Sequence, residues 1–423
     1  MKAVVFGTGR IACGVIGELL NDAGCTITFI GRNRGVVDNL NRHGGFHLRL
    51  SDADGNAQLT IVGVEAIHLA NRQAAITAVT EADVIFTAVG AGNLDSVAAL
   101  LAAGLVIRTS PVDVIACENH ADPGGHLRNL VAAQAVEPND VQRHGFAGAL
   151  VGRAVSCRLG DVDGHEPLTF VGDPIRELIV DGAVLRNPLP SVSGLHSVGD
   201  FAAYMQRKLF IFSAGHATAA YLGHLKGYRY IHAAIRDQEI RGAVLEAMRE
   251  GQYGIAARFG EAFASFDGAP QRNSALRRRR RRCDRGTRGE DALEAILTRF
   301  GNAALCDPVS RVGRDARRKL NVDDRLLGAA QLARRAGVNP SGLLTAAAAA
   351  LCFECTDDPG TAAIRDSMHQ RGVAATLDQE CGIGASSRLA RSVHAAWIRL
   401  TADDWHAGNA MLSIDRPQWA WQA

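Results

Sequence analysis

Residues 2–6 open the chain as a short apolar run of β type, a glycine turn spans residues 7–14, and an amphipathic stretch follows over 15–20. Further apolar runs recur at 26–30, 46–50, 58–64, 84–89 and 112–117, with helical patterns between several of them. This alternation predicts an α/β fold with a doubly wound parallel sheet, whose ligand crevice lies at the carboxyl ends of the strands. Residues 150–184 keep a β-type pattern that extends or flanks that sheet. From about Asp200 the pattern turns alanine-rich with helical spacing, at 201–224, 230–249, 291–300, 325–336, 341–352 and 360–370. The expected organisation is a Rossmann-type unit over 1–190 and a mainly α-helical unit over 191–423.

Strand, glycine turn and helix in that order is the setting of a dinucleotide fingerprint. Gly7 permits the tight turn, and Gly9 lets main-chain N–H groups approach a pyrophosphate at the helix N-terminus. The second apolar strand ends in Gly31-Arg-Asn-Arg34, where an acidic residue ordinarily binds the ribose 2′-hydroxyl of NAD. Gly31 offers no carboxylate to repel a phosphate, and Arg32 and Arg34 are able to pair with one, so NADP is favoured over NAD. The competing reading makes both arginines a solvated loop face. Thr87-Ala-Val-Gly90 and Ala116-Cys-Glu-Asn119 both fall at strand ends. The cofactor set expected on this basis is Gly7, Gly9, Ile11, Gly14, Arg32, Asn33, Thr87 and Val89. Asn119 is either a functional polar group or a cap of the turn before Pro123.

The helical half begins with Gln206-Arg-Lys-Leu-Phe-Ile-Phe-Ser-Ala-Gly-His216. A lysine held among Leu209, Phe210 and Phe212 loses hydration as a cation, and its pKa falls toward that of a general base. At about 100° per residue Ser213 and His216 are i, i+3 neighbours, and the long stem of Lys208 reaches forward to them. The alternative is an amphipathic helix whose lysine reaches solvent and whose histidine is a satisfied core residue. An α/β unit followed by a helical one places Lys208 near the domain interface, a common setting for small-molecule sites.

Composition narrows the classes. Hydrophobic residues make up 47% of the 423 and charged residues 21%, which fits a globular protein of two domains. A formal net charge of +2 argues against nucleic acid or a membrane surface as the main partner and favours a small-molecule ligand. The N-terminus lacks a secretory h-region, and a cytoplasmic location is expected. Nine cysteines, an odd number, read as reduced thiols; Cys352-Phe-Glu-Cys355 continues an apolar helical run without a second pair at zinc spacing, so no metal is predicted.

Two basic segments stand apart. Residues 271–290 contain six consecutive arginines, 277–282, which repel one another and resist burial; they read as a disordered surface insertion, with a nucleic-acid tether or a reading-frame artefact as alternatives. Arg311-Val-Gly-Arg314 with Lys319 reads either as a turn presenting cations to a substrate phosphate or as a solvated helix start.

Taken in order, the glycine turn, Ile115-Ala-Cys-Glu-Asn119, Arg207-Lys-Leu-Phe210 with Gly215-His-Ala217, Tyr221-Leu-Gly223 and Arg311-Val-Gly-Arg314 ahead of Arg318-Lys-Leu320 resemble the mannitol-1-phosphate 5-dehydrogenases of the polyol-specific long-chain dehydrogenase (mannitol dehydrogenase) family. The resemblance runs over nearly the whole chain and fails around the arginine insertion. It implies a Rossmann domain, a helical C-terminal domain, no metal, and hydride transfer between mannitol 1-phosphate and fructose 6-phosphate with NAD. It also implies that Lys208 takes the hydroxyl proton, His216 orients the substrate, and Asn119 and position 213 polarise the reacting oxygen. Four positions depart from the family pattern: Ser213 stands for Asn, Gly31 for Asp, Ala12 for Gly, and Ser156 for Asp. Two further outcomes remain open at this point, a dehydrogenase of another polyol or sugar acid and a dinucleotide-binding homologue with impaired catalysis. The oligomeric state is left open, a monomer included.

Overall fold

The structure is a computed structural model that describes residues 1–52, 55–135, 141–159, 166–265, 288–355 and 357–402. It divides into two compact units, Met1–Tyr204 and Met205–Ala423. The arginine run 277–282 lies outside the described residues.

The strands of the first unit, in chain order, are β1 (Lys2–Phe6), β2 (Thr26–Gly31), β3 (Gly45–Ser51), β4 (Asn56–Val62), β5 (Val64–His68) and β6 (Val84–Thr87). They continue with β7 (Asp113–Ala116), β8 (Gly145–Val151), β9 (Val155–Leu159), β10 (Thr169–Gly172), β11 (Leu178–Asp181) and β12 (Leu195–Val198). Eight form one sheet in the order β12-β11-β8-β7-β6-β1-β2-β5, parallel from β8 through to β5. Strand order reverses between β1 and β6, which opens a crevice at their carboxyl ends. Both faces are covered. Val4, Phe6 and Ile85 pack with Leu94, Leu101 and Leu127 on one side, and Ala3, Val5 and Ile115 pack with Ile16, Leu19 and Leu40 on the other. Burial on both faces is why these strands read as unbroken apolar runs.

Two expected members of the parallel sheet lie elsewhere. Residues 46–50 fall in β3 and pair antiparallel with β4 in a separate four-stranded sheet, β4-β3-β10-β9. The run 58–64 is divided by Gly63, whose φ of 71° turns the chain between β4 and β5. The 150–184 region likewise serves both sheets, with β9 and β10 in the small one and β11 antiparallel on β8 in the large one. Phe46 joins the layers, edge-on to Phe29 at 6.0 Å and to Phe170 at 5.5 Å.

The second unit is helical. Segment 201–224, expected as one α-helix, is an α-helix over Phe201–Arg207, a π-helical turn over Lys208–Ser213 and an α-helix over Ala214–Leu225. The last of these is buried almost all round, which is why its sequence shows little polar periodicity. Tyr221 is fully buried with its hydroxyl donated to Gly313 O at 3.0 Å. The 230–249 pattern resolves into Ile231–Ala234 and a long helix Gln238–Phe259, whose N-cap Asp237 accepts from Glu239 N and Ile240 N. Helices Leu327–Arg335, Ser341–Leu351, Pro359–Cys381 and Arg388–Ala402 complete the core. Among the described residues no helix is long and apolar enough to cross a membrane.

Candidate functional site

The glycine turn lies at the reversal between β1 and β6. Gly7 has a φ of 118°, and a Cβ there would fall 2.6 Å from Ala88 O, so no side chain is accommodated. Gly9 has nothing within 4 Å of a built Cβ, which leaves main chain exposed at the start of the helical segment that follows. The first N–H groups of a helix lack intrahelical acceptors, an arrangement suited to a pyrophosphate. Ile11 is half-buried at this helix start. Ala12 keeps negative φ, since Cys306 and Asp315 are the positive-φ residues other than glycine among those described. Gly14 packs on β9, where a Cβ would meet Val155 at 2.9 Å. Such close helix-strand contact is the structural duty of the last glycine in a dinucleotide turn.

Gly31 ends β2 beside Thr8: a Cβ would come 2.5 Å from Thr8 Cγ2 and 2.6 Å from Thr8 Oγ1. Arg32 is exposed and donates from Nη1 to Asn93 Oδ1 at 3.0 Å. Asn33 caps the helix Arg34–His43 by accepting from Val36 N at 3.0 Å, so its carbonyl oxygen already has a structural duty.

Sequence reading passed over Glu118. This buried carboxylate accepts from Thr87 Oγ1 at 2.7 Å and Val89 N at 2.9 Å, tying the turn after β6 to the end of β7. Burial pushes its pKa up against the lowering effect of those bonds. Thr87 is fully buried, which makes it a support for the turn rather than a surface for ligand, a revision of its expected role. Val89 is half-buried, and Asn119, two residues beyond Cys117 at the carboxyl end of β7, is exposed.

In the second unit the π turn changes the expected geometry of the lysine segment. Ala214 N donates to Leu209 O, five residues back, so residues five apart lie one turn apart. Lys208 and Ser213 have that spacing, and the widened turn aligns them without relying on the reach of the lysine stem. The long helix Gln238–Phe259 crosses here at Gly251, whose missing Cβ would lie 2.0 Å from Phe210 O. Lys208 is half-buried and Ser213 buried, and among the described residues the Ser213 hydroxyl makes no hydrogen bond.

His216 stacks on Phe300, with ring centroids 4.8 Å apart and planes 13° apart, and its Nε2 lies 3.3 Å from Asp307 Oδ2. Burial lowers its pKa and outweighs the raising effect of Asp307. Asp307 also accepts from Arg311 Nε at 2.7 Å. Burial alone would raise the Asp307 pKa; the His216 hydrogen bond and the Arg311 charge hold it below the usual carboxylate range. Arg311 is therefore paired, and its partner, four residues back, is a spacing the sequence reading did not use.

Arg314 is exposed and donates to Asp357 O at 2.9 Å. Lys319 departs from the expected solvent-facing cation. It is buried, with Nζ donated to the main-chain oxygens of Val312 and Arg314. Burial, reinforced by Arg325 and Arg318, brings its pKa down to about 7. Two of its three donors are thereby committed to the main chain. Lys208 and Ser213 thus belong to the second unit, as does the linked set His216, Asp307 and Arg311, while the glycine turn, Gly31, Glu118 and Asn119 belong to the first.

Residues 1–194 match the mannitol dehydrogenase Rossmann domain, and residues 200–266 with 285–399 match the mannitol dehydrogenase C-terminal domain. A mannitol-1-phosphate 5-dehydrogenase of Brevibacillus brevis is 34% identical over 407 residues, 95% of this chain and 98% of that protein. One of Bacillus licheniformis is 32% identical, covering 93% and 98%. Among solved structures, Pseudomonas fluorescens mannitol 2-dehydrogenase in ternary complex with NAD and D-mannitol superposes with a TM-score of 0.74 at 17% identity, covering 96% of this chain and 93% of that one. A D-sorbitol dehydrogenase gives 0.73 at 14%, covering 94% and 92%. At these identities the structures establish the fold, and the sequence matches establish the lineage: the chain belongs to the mannitol dehydrogenase family.

Proposed function

We propose that the chain is a dinucleotide-dependent polyol-phosphate dehydrogenase that interconverts mannitol 1-phosphate and fructose 6-phosphate. The observation that carries this reading is the near full-length relationship to proteins named mannitol-1-phosphate 5-dehydrogenase. A bound nicotinamide would supply the acceptor for the hydride of the carbinol carbon. The Lys208 amine takes the hydroxyl proton, the Ser213 hydroxyl donates to the oxygen as it becomes a carbonyl, and His216 orients a neighbouring hydroxyl. Arg311 and Arg314 are the proposed phosphate contacts, with Lys319 beneath them fixing the turn that presents both.

The finer cofactor reading is NADP(H). Its support is the absence of a carboxylate at Gly31, the exclusion of one by Thr8, and the exposed Arg32 nearby. A cytoplasmic location accompanies this proposal.

Following NADPH and NADH oxidation with fructose 6-phosphate and with unphosphorylated fructose, beside Lys208→Ala, tests all of it. Turnover of the phosphate alone, faster with NADPH and lost in the variant, is the expected result. A folded protein that binds dinucleotide but turns over neither sugar would favour the catalytically impaired reading, which the serine at 213 supports.

A further inference from the structure

His216 is held on three sides. Phe300 stacks on its face at 4.8 Å, Phe212 lies tilted at 5.9 Å, and Asp307 Oδ2 stands 3.3 Å from Nε2. Asp307 is itself fixed, because its other carboxylate oxygen accepts from Arg311 Nε at 2.7 Å and its main-chain carbonyl accepts from Ile231 N at 2.9 Å. Arg311 keeps Asp307 ionised, and an ionised carboxylate only accepts hydrogen bonds. The contact therefore places the imidazole proton on Nε2. Among the described residues Nδ1 has no partner, and in this tautomer it is a bare acceptor.

We propose that Asp307 is a positioning residue that locks His216 in the Nε2–H tautomer, so that Nδ1 receives a hydrogen bond from a substrate hydroxyl. The inference rests on the reading that His216 meets the substrate, and it adds the direction of that bond. It selects for a hydroxyl next to the reacting carbon over a carbonyl or an ether oxygen, neither of which donates. It also assigns Arg311 a role besides any phosphate contact, as the counter-charge that keeps Asp307 an acceptor.

The test is the imidazole ¹⁵N spectrum of the full-length protein at pH 7, with His216 assigned by loss of its signals in His216→Gln. The wild type is expected to show Nε2 protonated and Nδ1 bare, a readout that needs no substrate. In Asp307→Asn the amide is able to donate as well as accept, so the Nδ1–H form becomes populated. The same variant is expected to lose roughly 10²-fold in kcat, with dinucleotide affinity unchanged. A protonated Nδ1 in the wild type overturns the proposal. So does an Asp307→Asn protein whose tautomer or whose kcat is unaltered. Absence of wild-type turnover with fructose 6-phosphate would instead defeat the substrate assignment, leaving the tautomer measurement to decide the role of Asp307.

Discussion

Thr8 fills the space beside Gly31 that any side chain at the end of β2 would need. The two positions are therefore coupled, and an acid cannot be restored at 31 without relief at 8. Threonine is stiff at χ1, so it yields poorly. Gly31→Asp alone should weaken both dinucleotides by about tenfold, whereas Thr8→Ala with Gly31→Asp should bind NADH at least about tenfold more tightly than NADPH. Dissociation constants from dinucleotide fluorescence decide it. Additive effects of the two substitutions would show that the contact is irrelevant to cofactor choice.

In the proposed mechanism Ser213 is the donor to the reacting oxygen, and a serine reaches less far than an amide. Ser213→Asn is expected to raise kcat for the polyol phosphate, by about 10-fold or more, and Lys208→Ala to lower it by roughly 10³-fold. Steady-state rates at saturating substrate measure both. An asparagine variant slower than the wild type would mean that the serine has been accommodated by the pocket.

Glu118 joins two turns through Thr87 and Val89. Glu118→Ala leaves a buried hydroxyl and an N–H unsatisfied, at a cost of about 2–3 kcal/mol, and loosens the turn after β6. Thermal unfolding should register the loss, and dinucleotide affinity should fall with it. An unchanged Tm would show that the bonds are replaced by water.

Glu250 caps the helix Ser341–Leu351 from the side, accepting from Gly342 N at 2.7 Å and Leu343 N at 2.8 Å. Burial carries its pKa from 4.5 to about 7 despite these bonds. The folded state then holds a proton that the unfolded state has released, so this contribution to stability is full below pH 4.5 and is lost as pH rises through 7. Glu250→Gln removes the dependence. Relative to the wild type, the variant should gain stability between pH 4.5 and 7, by up to about 3 kcal/mol. Denaturant titrations at the two ends of this range give the difference, and parallel pH curves would reject the assignment.

The sequence showed what local pattern controls. β1, β2, β6 and β7 were legible because both of their faces are buried, and Gly7 and Gly9 because a tight turn leaves few alternatives. The placement of β3 and β4 was not, since an apolar run does not state its partners and pairing was decided by contacts with β10, more than 100 residues away. Lys208, Ser213 and His216 were singled out by residue type, yet the segment that carries Lys208 and Ser213 was read with an α-helical period where the structure has a π turn. Glu118 and Asp307 escaped notice because a single carboxylate in an apolar stretch has no periodicity; only the fold shows what it accepts.

The π turn at Lys208–Ser213 has a consequence for the tolerance of this segment to change. It amounts to one residue more than an unbroken α-helix would hold, so deleting any one of residues 209–212 would let the backbone close into regular α-helical hydrogen bonding. That repair would place Lys208 and Ser213 four residues apart, still neighbours on one helix face. The turn therefore tolerates the loss of one residue without parting this pair, whereas an unbroken α-helix of the present length would set the two on different faces.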